Sequence, residues 1–467
     1  MDRLMPLFRP ESVAVVGASD DEDKYGHKVF RNIVDGGFQG RLYPVNPSAT
    51  TVLGRAACPS LGAVPERLDL AFIVIPARLV VAAVREAIEA GVRSLVIITA
   101  GFGETGEEGR RAESEIRALC NSAGLPAVGP NCMGVCSFPF GLAGTMEPLK
   151  SDPGAVSFIS QSGTYGITTL NYGLRSGVSF NVFVSSGNEA VTHFSDYLEY
   201  LGNDPATRVI MGYIESLRDG AKFLQVAREV TKKKPVVVMK FGRTQKGSLA
   251  ASSHTGALAG SHAVYRSVFR QTGVVEVVRT QDLLNVAMAF SMQPPLRGPR
   301  IASVGASGGF AVAVTDYLEE HGLEVPSFSE ELQKRIRGEA GTMPYASVRN
   351  PVDLAADLRP APLLTCAEIA IEQDFIDGLI VAFPARPYPP AEESVRALER
   401  MHERTGKPVL ICYYARPEGV GVIQSMTDKI PVYGNPEAVG QVMSALYQYG
   451  SYLKRRGAFQ REVSTSP

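Results

Sequence analysis

The chain has 467 residues, of which 45% are hydrophobic and 20% charged, a length that suggests about three globular domains. Its 47 Lys and Arg residues nearly balance its 48 Asp and Glu residues. The chain therefore lacks the basic excess that is typical of proteins that bind nucleic acid or membrane surfaces. No window approaches the roughly 20 apolar residues of a membrane-spanning helix, and the N-terminus lacks a signal-peptide pattern.

Short runs rich in Val and Ile alternate with amphipathic stretches, which predicts doubly wound α/β domains with parallel sheets. A strand that enters a Gly/Ser loop and then a helix occurs three times, at Val13–Ser19, Val156–Gly166 and Ile301–Gly309. Each occurrence indicates a new domain, and Pro/Gly-rich segments lie between them. The predicted domains span 1–150, 151–294 and 295–455, followed by a polar tail at 456–467.

The first glycine loop, Gly17-Ala18-Ser19, follows a strong strand, which favours a phosphate or pyrophosphate at the start of the next helix. The alternative is that Gly17 only makes the tight turn. An NAD site is disfavoured, because the G-x-G-x-x-G spacing is missing and the second strand ends in Asn46-Pro47, where NAD sites place an acid. A different adenine-containing ligand fits better.

His254 lies in the middle of residues 242–262, a segment rich in Gly, Ser and Ala. Histidines are more often structural than catalytic, but these small neighbours are typical of an exposed or swinging loop rather than a core. An imidazole is a competent nucleophile at neutral pH and can carry a phosphoryl group. The segment therefore predicts a phosphohistidine at His254.

A phosphohistidine needs donors for its phosphate oxygens and an acceptor for the other ring N–H. Gln161, Ser162 and Gly163 lie where a strand enters a helix, so we expect free N–H groups and a positive helix end there. Glu215, at the end of the strand-like RVIMGYIES, is the candidate acceptor. The alternative for Glu215 is an ordinary surface glutamate.

The cysteines indicate neither a disulfide framework nor a metal site. Six are scattered over the chain, and Cys132 and Cys136 have only a loose zinc-ligand spacing with no second pair. We therefore expect a reducing, cytoplasmic setting and no bound metal.

Seven segments, taken together and in their order along the chain, resemble the NDP-forming acyl-CoA synthetases. This family includes succinyl-CoA synthetase and the ADP-forming acetate–CoA ligases. The most specific, AASSHTGALAGSHAVY, is similar to the phosphohistidine loop of that family and contains His254. The resemblance covers nearly the whole chain. The other segments are GPNCMG (129–134), SQSGTYG (160–166), SSGNEA (185–190), YIES (213–216), KPVVVMKFGRT (234–244) and RNPVDL (349–354).

The resemblance implies a Rossmann-like CoA-binding domain followed by two flavodoxin-like domains. It implies a substrate pocket near Asn131, Met133 and Gly187, with His254 and Glu215 as catalytic residues. The acidic residues before Lys24 depart from the usual Pro-Gly-Lys pattern of the family. The implied CoA contacts are Gly17, Ala18, Ser19, Lys24, Asn46, Pro47, Ile75, Pro76, Thr99 and Ala100.

The resemblance also implies a partner. All three predicted domains are doubly wound units, so the ATP-grasp domain that the family needs has no place in this chain. We expect an alpha subunit in a hetero-oligomer with a separate ATP-grasp beta subunit, which would hold ATP/ADP or GTP/GDP with Mg²⁺. The expected reaction joins a carboxylic acid to CoA with NTP hydrolysis to NDP and phosphate.

Two alternatives belong to other functional classes. One is a non-catalytic, CoA-sensing regulatory or scaffold subunit, against which the intact His254 loop and Glu215 argue. The other is an NAD-dependent oxidoreductase, which Asn46 and the incomplete glycine pattern disfavour.

Overall fold

The computed structural model describes residues 3–249, 260–383, 392–414 and 417–459. These residues fold into two compact units, one ending at Val278 and the other beginning at Arg279. The first unit contains two large sheets, and the second contains one. No helix in these ranges is long and apolar enough to cross a membrane.

The first sheet is built from residues that precede Gly129. Its region contains strands β1 (Ser12–Val16), β2 (Arg41–Val45), β3 (Thr51–Val52), β4 (Arg55–Ala56), β5 (Leu70–Ile73), β6 (Leu95–Ile97) and β7 (Ala127–Val128), and helices α1 (Met5–Phe8), α2 (Tyr25–Asp35), α3 (Ala77–Glu89) and α4 (Glu107–Ala123). Five strands pair in parallel in the order β2-β1-β5-β6-β7, and β3 and β4 form a small hairpin. The buried apolar runs of β1, β5 and β6 are typical of a parallel sheet.

The second sheet has seven strands. Its region contains β8 (Gly134–Ser137), β9 (Leu142–Thr145), β10 (Val156–Ser160), β11 (Phe180–Ser185), β12 (Val209–Ile214), β13 (Val236–Lys240) and β14 (Val275–Val277), and helices α5 (Gly163–Arg175), α6 (Phe194–Asn203), α7 (Gly220–Val230) and α8 (His262–Thr272). The order is β14-β13-β12-β10-β11-β8-β9. Because β8 pairs antiparallel with β11, the β8–β9 hairpin belongs to this sheet, although it lies within the predicted first domain at 1–150.

The third sheet forms the second unit. This unit contains β15 (Ile301–Gly305), β16 (Val352–Asp353), β17 (Gly378–Ala382), β18 (Val409–Cys412) and β19 (Val432–Tyr433), and helices α9 (Thr280–Met292), α10 (Gly308–Glu320), α11 (Glu330–Ala340), α12 (Pro360–Ile371), α13 (Glu392–Thr405), α14 (Pro417–Gln424) and α15 (Pro436–Arg455). The strands are parallel in the order β16-β15-β17-β18-β19. Helix α9 packs on α15, so it joins this unit although the predicted boundary lies after it.

The parallel strands of all three sheets follow the order 2-1-3-4-5, which confirms the predicted doubly wound α/β class. In this order the chain winds outward in both directions from one pair of neighbouring strands. Those pairs are β1/β5 in the first sheet and β10/β12 in the second. Ligands of such folds bind outside the carboxyl ends of these strands, where the flanking loops diverge.

Candidate active site

A cavity of about 800 Å³ lies within the first unit, and loops that follow strands of both of its sheets line it. Gly17 follows β1, Ile75 follows β5, and Gln161 follows β10, so both strands of the first pair and β10 of the second end at this cavity. A volume of this size suits a small-molecule site. The lining includes the predicted site residues Gly17, Lys24, Ile75, Pro76, Thr99, Ala100, Asn131, Met133, Gln161, Ser162, Gly163 and Gly187.

The other predicted residues of the described chain lie outside the lining; they are Ala18, Ser19, Asn46, Pro47 and Glu215. Asn46 supports the first glycine loop, because its Nδ2 donates to the Ala18 carbonyl at 2.8 Å. Its Oδ1 also accepts from the backbone N–H of Ser48 at 2.9 Å. Both polar atoms of the Asn46 side chain therefore hold the backbone beside the cavity.

Gly17 is required by the turn itself. Its φ is +94°, and a Cβ there would lie 2.2 Å from the Val74 carbonyl oxygen. A side chain at this position would displace the end of β5, whether or not a ligand is bound. A larger residue at Gly17 thus disturbs the fold as well as the cavity.

Helix α5 begins at the cavity, with Ser162 at its N-cap position. The N–H groups of its first turn have no partner within the helix, and its positive end favours an anion. Gly163 lies against Met133, since a Cβ on Gly163 would be 2.4 Å from the Met133 Cγ. The helix start therefore offers bare backbone N–H groups to the cavity.

Gln161 connects this helix start to the end of β12. Its Oε1 accepts from the backbone N–H groups of Glu215 at 2.6 Å and Ser216 at 3.0 Å. Its Nε2 donates to the Ser216 carbonyl at 2.7 Å and to Glu189 Oε1 at 3.0 Å. All these bonds are to the protein, and the Gln161 N–H donates to the Tyr213 carbonyl at 3.3 Å, so Gln161 positions the site, and its predicted phosphate contact stays a prediction.

Glu215 is buried at the carboxyl end of β12, with 5% of its surface exposed. The Tyr213 hydroxyl donates to its Oε1 at 3.1 Å, and Lys240 Nζ donates to its carbonyl at 2.8 Å. Lys240 itself is fully buried, and this burial lowers the pKa of its ammonium group. Glu215 is therefore an ordered buried carboxyl group, unlike the surface glutamate of the alternative interpretation.

His254 lies outside the described residues. The described chain resumes at Gly260, and α8 begins at His262, whose Nε2 is 2.6 Å from Glu276 Oε1. The role of His254 in the site stays a prediction. The described residues place the start of α5 at the cavity, and Gln161 joins it to Glu215, which lies outside the lining.

Comparison with known proteins gives the family. The description "CoA binding domain" matches residues 11–137, and "Succinyl-CoA ligase like flavodoxin domain" matches residues 153–290. The alpha subunit of ADP-forming acetate–CoA ligase II of Pyrococcus furiosus is 37% identical over 95% of this chain and 97% of that protein. The chain belongs to the ADP-forming acetate–CoA ligase family.

Two further similarities describe this ligase family. ADP-forming acetate–CoA ligase I of Archaeoglobus fulgidus is 35% identical over 95% of this chain, which covers 63% of that longer protein. The dinucleotide-forming acetyl-coenzyme A synthetase 1 of Ca. Korarchaeum cryptofilum, in complex with phosphate and ADP, superposes with a TM-score of 0.90 at 32% identity and covers 98% of this chain and 99% of that one. The chain is thus an alpha-subunit member of a family of acid–thiol ligases.

Sequence reasoning missed Asn188 of this ligase, which lines the cavity and joins its two halves. Its Nδ2 donates to Glu104 at 2.6 Å and to Glu113 at 3.0 Å, both beyond the carboxyl end of β6. Burial raises the pKa of Glu104, but hydrogen bonds from Asn188 and from backbone N–H groups outweigh burial and lower it. The SSGNEA segment was recognised, but its partners lie more than seventy positions away.

Lys24 and the cysteines complete the predicted set. Lys24 lines the cavity, and its Nζ lies 3.3 Å from Asp21 Oδ2, so one acid of the segment before Lys24 forms an ion pair with it within the same loop.

Cys132 and Cys136 are buried, and burial raises the pKa of each thiol to about 12. In the described ranges no group of three His, Cys, Asp or Glu residues is placed to hold a metal.

Proposed function

We propose that the chain catalyses the phosphoryl- and acyl-transfer half of an NDP-forming acyl-CoA synthetase, with His254 as the phosphoryl carrier. The observation that carries this proposal is the cavity in which the CoA-binding domain meets the start of α5. Beside that helix start, Gln161 holds the backbone of Glu215. A CoA thiol, an acyl group and a phosphoryl group can therefore meet in this cavity.

In the direction of synthesis, a ring nitrogen of His254 attacks the γ-phosphorus of NTP, and NDP leaves. A carboxylate oxygen of the acid then attacks the phosphorus, which frees the imidazole and forms an acyl phosphate. The CoA thiolate attacks the acyl carbon, and inorganic phosphate leaves as the thioester forms. Covalent catalysis replaces one difficult displacement by three easier ones.

The residues of this chain position the reacting groups and stabilise the charge that develops in these steps. The N–H groups at Gly163 and in the first turn of α5 bind the phosphoryl oxygens, as helix starts do for anions. The Glu215 carboxylate accepts the other ring N–H of His254 and stabilises the charge that develops on the ring. The CoA pyrophosphate lies on the Gly17 loop, with its thiol end toward Asn131 and Met133.

We further propose that an ATP-grasp beta subunit holds the nucleotide and Mg²⁺. The Pyrococcus relative is named an alpha subunit, and this chain covers 63% of the length of the Archaeoglobus relative. The described residues form three doubly wound sheets and one small hairpin. The partner therefore supplies NTP binding, and this chain supplies CoA, acid and His254.

The test mixes the purified chain with its ATP-grasp partner, Mg²⁺ and ATP or GTP radiolabelled at the γ-phosphate. We expect label on His254 that is lost in acid and stable in base, and no label on His254→Ala, which still binds CoA. Label that survives acid or persists in His254→Ala contradicts the proposal. CoA binding without any label would favour the CoA-sensing subunit instead.

A further inference from the structure

Glu189 is a buried carboxyl group that the steps above do not use. It follows β11 in the loop of residues 185–190, and 2% of its surface is exposed. Its φ is +53°, a left-handed conformation that residues other than glycine seldom adopt. Such outliers persist where the surrounding structure holds them, and they cluster at functional sites.

The loop around Glu189 is held against the loop that follows β7. The Asn188 N–H donates to the Pro130 carbonyl at 2.9 Å, and the Ala190 N–H donates to the Gly129 carbonyl at 3.0 Å. A Cβ on Gly187 would lie 2.4 Å from the Pro130 oxygen, so no side chain fits between the loops. This close packing fixes the backbone of Glu189 and buries its side chain behind the cavity wall.

The carboxyl group of Glu189 is surrounded by donors. Its Oε1 accepts from Ser186 Oγ at 2.8 Å and from Gln161 Nε2 at 3.0 Å. Its Oε2 makes no hydrogen bond of normal geometry to the described residues. A proton on Oε1 would compete with these two donors. The hydrogen bonds therefore favour the carboxylate form.

Burial opposes this preference. It raises the pKa of Glu189 to about 7, although the bonds from Ser186 and Gln161 and the positive charge of Arg218 act in the other direction. The titratable and charged groups around Glu189 include Arg218 after β12, Glu113 of α4 at 3.6 Å from Arg218, the buried Tyr197 of α6, and Glu215 through Gln161. They also include Arg117 of α4, whose Nε donates to the Ala190 carbonyl at 2.8 Å.

Ionised Glu189 is one of four groups that set which way the Gln161 amide points. In the observed orientation Nε2 faces the two acceptors, Glu189 and the Ser216 carbonyl, and Oε1 faces the two backbone donors at the end of β12. If the amide were reversed, Oε1 would face both acceptors and Nε2 both donors. A carboxylate at position 189 thus adds to the backbone groups that disfavour the reversed amide and strengthens the hold of Gln161 on the end of β12.

We propose that Glu189 is a positioning residue for phosphoryl transfer: its carboxylate orients Gln161, which in turn fixes the backbone of Glu215 beside the start of α5. This inference rests on the proposed function, since it concerns how that site is kept competent. Because the active form is the carboxylate, phosphorylation of His254 weakens when Glu189 gains a proton. Labelling then falls as the pH drops through the neutral range.

The test measures the initial rate of His254 labelling by the complex with its ATP-grasp partner and γ-labelled ATP, from about pH 6 to about pH 8.5. The variants are Glu189→Ala, Glu189→Gln and the control Glu199→Gln, which changes an exposed glutamate of α6. We expect Glu189→Ala to lose about tenfold, as changes of supporting residues do, and Glu199→Gln to follow the wild type.

Glu189→Gln is the decisive variant. Its amide oxygen can accept from Ser186 and Gln161 but does not titrate, so we expect it to recover most of the loss seen with alanine. The ratio of its labelling rate to that of the wild type should rise as the pH falls below about 7. CoA affinity, measured by calorimetry in every variant, should stay unchanged and shows that the first unit is folded.

Each remaining outcome overturns something specific. If the wild type is labelled but Glu189→Ala labels within about twofold of it, Glu189 does not position the site. If the Glu189→Gln ratio is constant with pH, the carboxylate form is not the active one. If no chain including the wild type is labelled, the proposed function fails, and this inference fails with it.

Discussion

The ionisation of Glu189 can be tested without the partner subunit. We expect Glu189→Gln to change how the stability of the first unit depends on pH. The pKa of Glu189 is about 7 in the folded chain, against an ordinary value of 4.5. The folded state therefore binds the proton more tightly than the unfolded state does. Wild-type stability, relative to the variant, is fully present below about pH 4.5 and is lost as the pH rises to about 7.

The magnitude follows from the two pKa values. A difference of about 2.5 units corresponds to roughly 3 kcal/mol in full, at 1.36 kcal/mol per unit. Between about pH 5.5 and about pH 8, linkage predicts that roughly 2 kcal/mol of this difference develops. The glutamine amide also adds a constant offset, because its N–H₂ group takes the position of Oε2. Only the part that varies with pH reports the ionisation.

The assay is calorimetric unfolding of wild type, Glu189→Gln and Glu199→Gln at several pH values. Two units can unfold in separate transitions, and only the transition of the first unit should move. We expect the unfolding temperature of Glu189→Gln to rise relative to that of the wild type as the pH rises. The unfolding temperature of Glu199→Gln should follow that of the wild type at every pH. A stability difference that does not vary with pH would refute the assignment of a raised pKa to Glu189.

Three other changes test the site. Glu215→Gln should keep the fold and CoA binding but label His254 at least about tenfold more slowly, because an amide does not stabilise positive charge on the ring; equal labelling contradicts the orienting role. Gly163→Ala should lower the melting temperature of the first unit and reduce labelling, since its Cβ would be 2.4 Å from the Met133 Cγ. Adding Met133→Ala should recover the melting temperature, and no recovery contradicts this contact as the cause. Asn188→Ala should destabilise the first unit by about 1–3 kcal/mol in denaturant titrations, because two carboxylates lose a donor; a loss below about 0.5 kcal/mol contradicts this.

Local patterns were sufficient for the fold class. The Val- and Ile-rich runs at β1, β10 and β15 each precede a Gly/Ser loop, and all three begin a parallel sheet of the same order. This works because strand burial and tight turns depend on residues that are near one another in sequence. The β8–β9 hairpin was not predicted for the opposite reason, since its antiparallel pairing with β11 joins distant segments.

The sequence by itself determined the family and the order of its motifs, and it predicted site residues that include Gln161, Glu215 and His254. Only the tertiary structure decided which of these residues meet, since two separate sheets direct their loops into one cavity. It also decided that Gln161 bonds to Glu189 and to Glu215, which lie 28 and 54 positions from it. Hydrogen bonds of this kind depend on how strands are ordered in a sheet, and no local pattern of side chains encodes that order.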